Sequence, residues 1–156
     1  MVACLQNLDK LQATTNGNIE NVVSDIDLPN GSMISLGAKV AGQFELITAT
    51  APSATAEALL VAAPEVKYED SITSSEELDY TTRAGKAVRA YHLTVGDKFQ
   101  VEQTLFAVVP AVGDVVTASA NFGYEVGTGQ TTFVVEELTG LGFDKRPAVL
   151  LRVLSV

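Results

Sequence analysis

The sequence predicts a mostly β fold, a compact β-barrel or β-sandwich, and three features of the chain point to it. Short apolar runs recur along its length, each closed by Gly, Pro or Asp. Several alternate apolar with polar residues, most cleanly Lys98-Phe99-Gln100-Val101-Glu102, which is the period of a half-buried strand. No stretch carries an apolar stripe at helical spacing over three or more turns, so helix is the minority element. At 156 residues the chain suits one domain with a real core.

In chain order, residues 1–31 read as an N-terminal arm. Leu5, Leu8 and Leu11 support at most a short helical turn before Thr14-Thr15-Asn16-Gly17-Asn18 breaks it. Leu28-Pro29-Asn30-Gly31 closes the arm as a turn, because Pro presets φ and Asn-Gly tolerates tight geometry. A single β domain is expected over 32–156. Ile34, Leu36, Ala38 and Val40 alternate with Met33, Ser35, Gly37 and Lys39. After Ala41-Gly42, Phe44 and Leu46 alternate with Gln43 and Glu45, so the pair reads as a hairpin. Further strands are expected at 58–62, 88–93, 98–102, 105–109, 115–120, 131–136 and 148–154. Residues 64–87 break the rhythm with a run of acids, and Ser74 and Glu77 have capping-box spacing. A long acidic loop or short surface helix is expected there. Val95-Gly96-Asp97 and Val112-Gly113-Asp114 repeat one phrase and read as two turns, not as a true repeat.

Charge argues against two classes of partner. Nineteen acidic and ten basic residues leave a formal net charge of −9, which a nucleic-acid backbone repels. The bases are scattered, with Lys145-Arg146 the only adjacent pair, so no basic stripe can track phosphates or an anionic membrane. No run of about eighteen apolar residues exists to span a bilayer, and the first residues lack the basic start and apolar stretch of an export signal. Use without export is therefore expected. Charged residues make up only 19%, so the surface is rich in small neutral types, which favours a subunit that hides part of its exterior in an assembly.

Reactive groups are few. Cys4 is the only cysteine, which excludes an internal disulfide and reads as a bystander thiol. His92 is the only histidine and sits in an expected strand without a nucleophile elbow, so a structural role is expected. One His and one Cys cannot assemble the usual zinc site within one chain. Asp25-Ile26-Asp27 opens like a calcium loop, but Pro29 and Leu36 stand where ligands belong. The acids from Glu65 to Asp79 read as a solvated cluster that keeps the chain soluble. Gly127-Thr128-Gly129-Gln130 resembles half a phosphate loop, yet no helix or Lys follows, so a hairpin loop is expected. Glu136 and Glu137 point to opposite faces if they sit in a strand, and so cannot flank one cleft. No catalytic residue, metal or cofactor is assigned, and no enzymatic activity is expected.

Ala58-Leu59-Leu60-Val61-Ala62-Ala63-Pro64-Glu65-Val66-Lys67-Tyr68, followed by Gly85-Lys86-Ala87-Val88-Arg89-Ala90-Tyr91-His92-Leu93-Thr94-Val95-Gly96-Asp97-Lys98-Phe99, resembles the small capsid decoration proteins of tailed bacteriophages. The likeness is one of phrase order: an Ala-Pro-Glu strand end, an acidic loop, an Arg-containing strand, then a Gly-Asp turn opening the next strand. It covers about residues 31–120, and Val149-Leu150-Leu151-Arg152-Val153-Leu154 looks similar too. The resemblance implies a cement protein on the outer face of a virion, assembled in the host bacterial cytoplasm. It also implies binding to the major capsid protein and to neighbouring copies, as in a homo-oligomer such as a trimer. Acidity suits an outer face away from packaged DNA.

Leu5, Leu8 and Leu11 are candidates to dock on a neighbour, against packing on their own domain. Arg89 and Arg152, bases within apolar strands, are candidates to reach an acidic capsid patch, against pairing with a local carboxylate. A β-sandwich adhesin or carbohydrate-binding module is the alternative function. The absence of Trp weakens it and leaves Tyr68, Tyr80, Tyr91 and Tyr124 as stacking platforms. An enzyme working with carboxylates alone is the third reading.

Overall fold

A computed structural model describes residues 3–64 and 80–156. The first strands in chain order are β1 (Gln6–Lys10), β2 (Ile19–Val23), β3 (Leu28–Pro29), β4 (Met33–Lys39), β5 (Leu46–Thr50) and β6 (Leu59–Val61). β7 (Thr81–Thr82), β8 (Ala87–Tyr91), β9 (Lys98–Glu102) and β10 (Val115–Ala118) follow. The last three are β11 (Tyr124–Val126), β12 (Thr132–Leu141) and β13 (Arg146–Ser155). One helical turn, α1 (Ala13–Asn16), ends at Gly17 with φ 73°, a left-handed stop that glycine adopts without strain.

The fold is mostly β, as expected, and combines a barrel with a sheet. β2-β5-β4-β6-β8 closes into a barrel, antiparallel except for the parallel β2–β5 pair. β1-β9-β13-β12-β10-β11 forms a six-stranded antiparallel sheet, and β3 with β7 makes a short separate ladder. Two cores follow from this arrangement. Val22, Ile34, Leu59, Val61, Val88 and Ala90 from the barrel strands cluster with Leu28 of β3. Met33, Leu60 and Tyr91, adjacent to some of them in sequence, join Phe99, Val101, Phe133, Val149 and Leu151 of the sheet in a second, larger cluster. Successive strand residues point to opposite faces, so the β4-β6-β8 wall is buried on both sides. That is why Ala58 to Ala62 reads as an unbroken apolar run.

The arm expected at residues 1–31 is corrected: its described part, residues 3–31, is built into the fold. β1 pairs with β9 at Gln6↔Val101, and β2 is a barrel stave held between β5 and β8. The leucine spacing is helical, but strand pairing across the fold overrides this weak local preference. The hairpin after Ser32 is present, with β5 beginning at Leu46 and Phe44 left exposed in the connection. The strands expected at 58–62, 88–93, 98–102, 115–120, 131–136 and 148–154 correspond to β6, β8, β9, β10, β12 and β13. The expected strand at 105–109 is absent: a 3-10 turn at Gln103–Leu105 leads into an irregular segment. Most of the acidic stretch, with Ser74, Glu77 and Tyr68, lies outside the described residues.

The loop 127–131 is also corrected. β10 lies between β11 and β12, so this loop crosses over β10 and does not join neighbouring strands. A Cβ at Gly129 would stand 2.5 Å from the Thr117 hydroxyl, and the Thr117 hydroxyl donates to the Thr131 carbonyl at 2.8 Å. Glycine here permits the crossing.

Candidate interaction surface

The departure from strand at 105–109 shapes the most apolar exposed segment of the sheet. Phe106 stacks on Tyr124 with centroids 4.9 Å apart, and the Ala107 N–H donates to the Tyr124 carbonyl at 3.2 Å. The chain then leaves β11 and is caught again on β12. There the Gly113 N–H donates to the Val135 carbonyl at 2.8 Å and the Val135 N–H returns a bond to Asp114 at 3.0 Å. Asp114 also accepts the Ala111 N–H through its carboxylate at 2.8 Å, closing a turn in which Gly113 has φ 93°. Between these anchors Val108 is 71% exposed, and Val109 and Val112 are exposed as well. Val126 of β11 is also exposed, and the neighbouring Gly127 N–H donates to Val115 of β10 at 3.0 Å. The result is a strap of exposed valines, fixed to β11 at one end and to β12 at the other.

The other repeated phrase makes the same turn. Asp97 accepts the Thr94 N–H at 2.8 Å, Gly96 has φ 94°, and this turn exchanges two backbone bonds with Val153 of β13. Shared turn chemistry therefore accounts for the shared phrase, and it too leaves a valine, Val95, in water.

On the outer face of the sheet, a β-bulge at Glu136 breaks the register between Val135 and Glu137. Glu136 meets Lys98 Nζ through Oε2 and Arg152 Nε through Oε1, each at 2.6 Å. Lys98 and Arg152 are themselves register partners across β9 and β13. Hydrogen bonds from Lys98, then Arg152, hold the Glu136 carboxyl below its usual value. A lowered folded-state value contributes stability above the unfolded carboxylate value of about 4.3, and that contribution is lost as pH falls through the folded value. For this partly exposed cluster the effect is small, under about 1 kcal/mol. Glu136→Gln is expected to lower the melting temperature slightly at pH 7 and to leave no difference from wild type once the wild-type carboxyl is protonated. A gap between the two proteins that stays constant from pH 7 to pH 2 would contradict this assignment.

The structure places the sequence-derived contact residues as follows. Leu5 and Leu11 are buried, and Leu8 is partly buried against the larger core, so these three pack on their own domain. Arg152 pairs locally with Glu136, whereas Arg89 is exposed on β8. The five residues do not converge on one surface. His92 holds Glu57 Oε1 at 2.7 Å through Nδ1 and lies 3.6 Å from Glu20 through Nε2, linking the β5–β6 connection to β2. Of the proposed stacking platforms, Tyr91 and Tyr124 are buried. The sequence hides the valine strap because Val108-Val109 reads as strand. Pro110 was the available signal, since a proline next to such a run demotes it.

Comparison with protein-family models, with curated proteins and with solved structures found no match to this chain. Fold and surface define the chain as a mostly β protein that carries an anchored apolar strap beside its sheet.

Proposed function

We propose that this protein is a structural virion component that decorates the outer surface of a phage capsid, binding the major capsid protein and stabilising the head. The observation that carries the reading is the valine strap. Exposed valines held between two hydrogen-bonded anchors form an apolar contact surface that loses little conformational entropy on docking. The phrase-order resemblance supplies the partner, and three of its parts belong to ordered elements: the β6 run, Arg89 on β8, and the Gly96-Asp97 turn that opens β9. Repetition around a lattice turns modest single contacts into firm attachment. A net charge of −9 keeps such a subunit away from packaged DNA.

The test is cosedimentation with phage heads stripped of accessory proteins. Wild-type protein is expected to sediment with the heads. Val108→Asp combined with Val109→Asp is expected to weaken binding at least tenfold with an unchanged melting temperature, because both side chains already face water. Failure of the wild type to bind any capsid, together with glycan binding by the isolated protein, would replace this reading with the adhesin. Equal binding by the double variant would remove the strap from it.

A further inference from the structure

Asparagine is a chemically labile residue, and most so before glycine, which offers its backbone nitrogen with no side chain in the way. Six asparagines occur in the chain, and only Asn16 and Asn30 precede glycine. The other four stand before Leu, Ile, Val or Phe. Residue order makes the two Asn-Gly pairs equivalent, whereas the fold sets them apart.

Asn30 is locked. It is 1% exposed, its Oδ1 accepts the Ala63 N–H at 2.9 Å, and its Nδ2 donates to the Ala63 carbonyl at 3.2 Å. The Gly31 nitrogen, the one placed to attack, donates to the Val61 carbonyl at 2.9 Å. A Cβ at Gly31 would stand 2.9 Å from side-chain atoms of both Leu105 and Val101, so the backbone has no room to turn into a ring. A buried segment held this way is released only with global unfolding.

Asn16 is the opposite case. It ends α1, and residues 14–18 are all exposed. A Cβ at Gly17 would meet no described atom within 4 Å. The Gly17 N–H donates to the Ala13 carbonyl at 3.0 Å, so ring closure waits for that bond to open. The helix is a single turn with no side-chain cap at Gln12, and such a turn frays without disturbing the rest of the fold. The Asn18 N–H donates to Asn16 Oδ1 at 2.9 Å. Negative charge develops on that oxygen when its carbon is attacked, so a donor already aimed at it favours the reaction.

We propose that Asn16 is a self-modification site: with water as the only co-reactant, the folded protein converts it to isoaspartate and aspartate through a cyclic imide, while Asn30 is preserved. The Gly17 backbone nitrogen gives up its proton to solvent and attacks Asn16 Cγ. The N–Cγ bond forms as the Cγ–Nδ2 bond breaks, and Nδ2 leaves as ammonia with a proton returned from solvent. Water then opens the ring. Cleavage at Cγ leaves aspartate, and cleavage at the main-chain carbonyl leaves isoaspartate, whose backbone runs through the former side chain. Neither step oxidises or reduces anything. Each event adds one negative charge to a chain of net charge −9. The reaction is independent of what the protein binds, so its test uses the isolated full chain.

The folded protein is incubated at mildly alkaline pH and followed by peptide mapping with mass spectrometry, and isoaspartate is read with an isoaspartate-specific carboxyl methyltransferase. Asn16 is expected to react at least about a hundredfold faster than Asn30, whose opening waits on global unfolding. In urea the two are expected to react at comparable rates. Asn16→Gln, at an exposed position, is expected to keep the melting temperature and to remove the product formed by the folded protein. The proposal is overturned if folded protein loses Asn30 as fast as Asn16, or keeps Asn16 intact while the unfolded chain converts it. Aspartate at position 16 without isoaspartate would mean direct attack by water on the side chain, and would equally overturn ring closure. A preference for Asn16 that persists in urea would trace to the neighbouring residues and would sink selection by the fold.

Discussion

Removal of residues 1–28 is expected to unfold the protein. The segment contributes β1 at the edge of the six-stranded sheet and β2, the stave between β5 and β8. Without β2 the barrel is open, and the backbone groups of β5 and β8 that faced it lose their partners. Leu5, Leu11 and Val22 are all buried, and deleting a single large core side chain costs about 2–5 kcal/mol. Losing three, with both strands, is comparable to the whole of the roughly 5–15 kcal/mol that holds a typical domain together. The truncated chain should show no cooperative thermal transition by circular dichroism. A cooperative melt near the full-length temperature would refute closure of the barrel by β2.

Tyr124→Ala is the single substitution expected to cost most. The ring is wholly buried, stacks on Phe106 at 4.9 Å, and meets Phe133 edge-on at 5.8 Å. Its hydroxyl donates to the Gly31 carbonyl at 2.9 Å, tying the sheet to the turn before β4. Burial pushes the hydroxyl well above its ordinary value, so it stays protonated as a donor. Truncation of a buried aromatic costs about 3–5 kcal/mol, and at about 2–4 °C per kcal/mol for a chain of this size the melting temperature falls by roughly 6–20 °C. Tyr124→Phe keeps the ring and loses the hydrogen bond, a change of about 1–3 kcal/mol because the buried carbonyl is left unpaired. Differential scanning calorimetry of both variants separates the two contributions. If Ala costs no more than Phe, the aromatic cluster does not carry the weight assigned to it here.

The backbone beside Tyr124 is equally constrained. A Cβ at Gly123 would stand 2.1 Å from the Leu105 carbonyl oxygen, so only glycine lets the β10–β11 hairpin lie against the 3-10 turn. The same approach sets the course of the valine strap, because Ala107 bonds the Tyr124 carbonyl just beyond it. Candidate surface and core are thus joined through two adjacent residues.

Legibility varied with the range of the interactions involved. Lys98–Glu102 is legible to its boundaries because its alternation is local, with Phe99 and Val101 buried and Lys98 and Gln100 more open. Val95-Gly96-Asp97 and Val112-Gly113-Asp114 are legible as turns because aspartate and a positive-φ glycine make the turn within four residues. Leu5, Leu8 and Leu11 were not legible, since their strand pairs with residues beyond position 97, and no local pattern reports that partner. Sequence alternation makes Glu136 and Glu137 opposed strand residues, whereas the bulge at Glu136 is a property of the β12–β13 register.

By itself, then, the amino-acid order determined the β character, most strand positions, the acidic surface and the repeated turns. These rest on side-chain period, backbone dihedral preference and net charge, which act over a few residues or over the whole composition. Tertiary structure alone decided that β1 joins the sheet and β2 the barrel, that Val108, Val109 and Val112 are left exposed on a strap, and that Arg152 pairs with Glu136. Each of those outcomes depends on which distant strand supplies the hydrogen-bonding partner and on which face remains uncovered once it has done so.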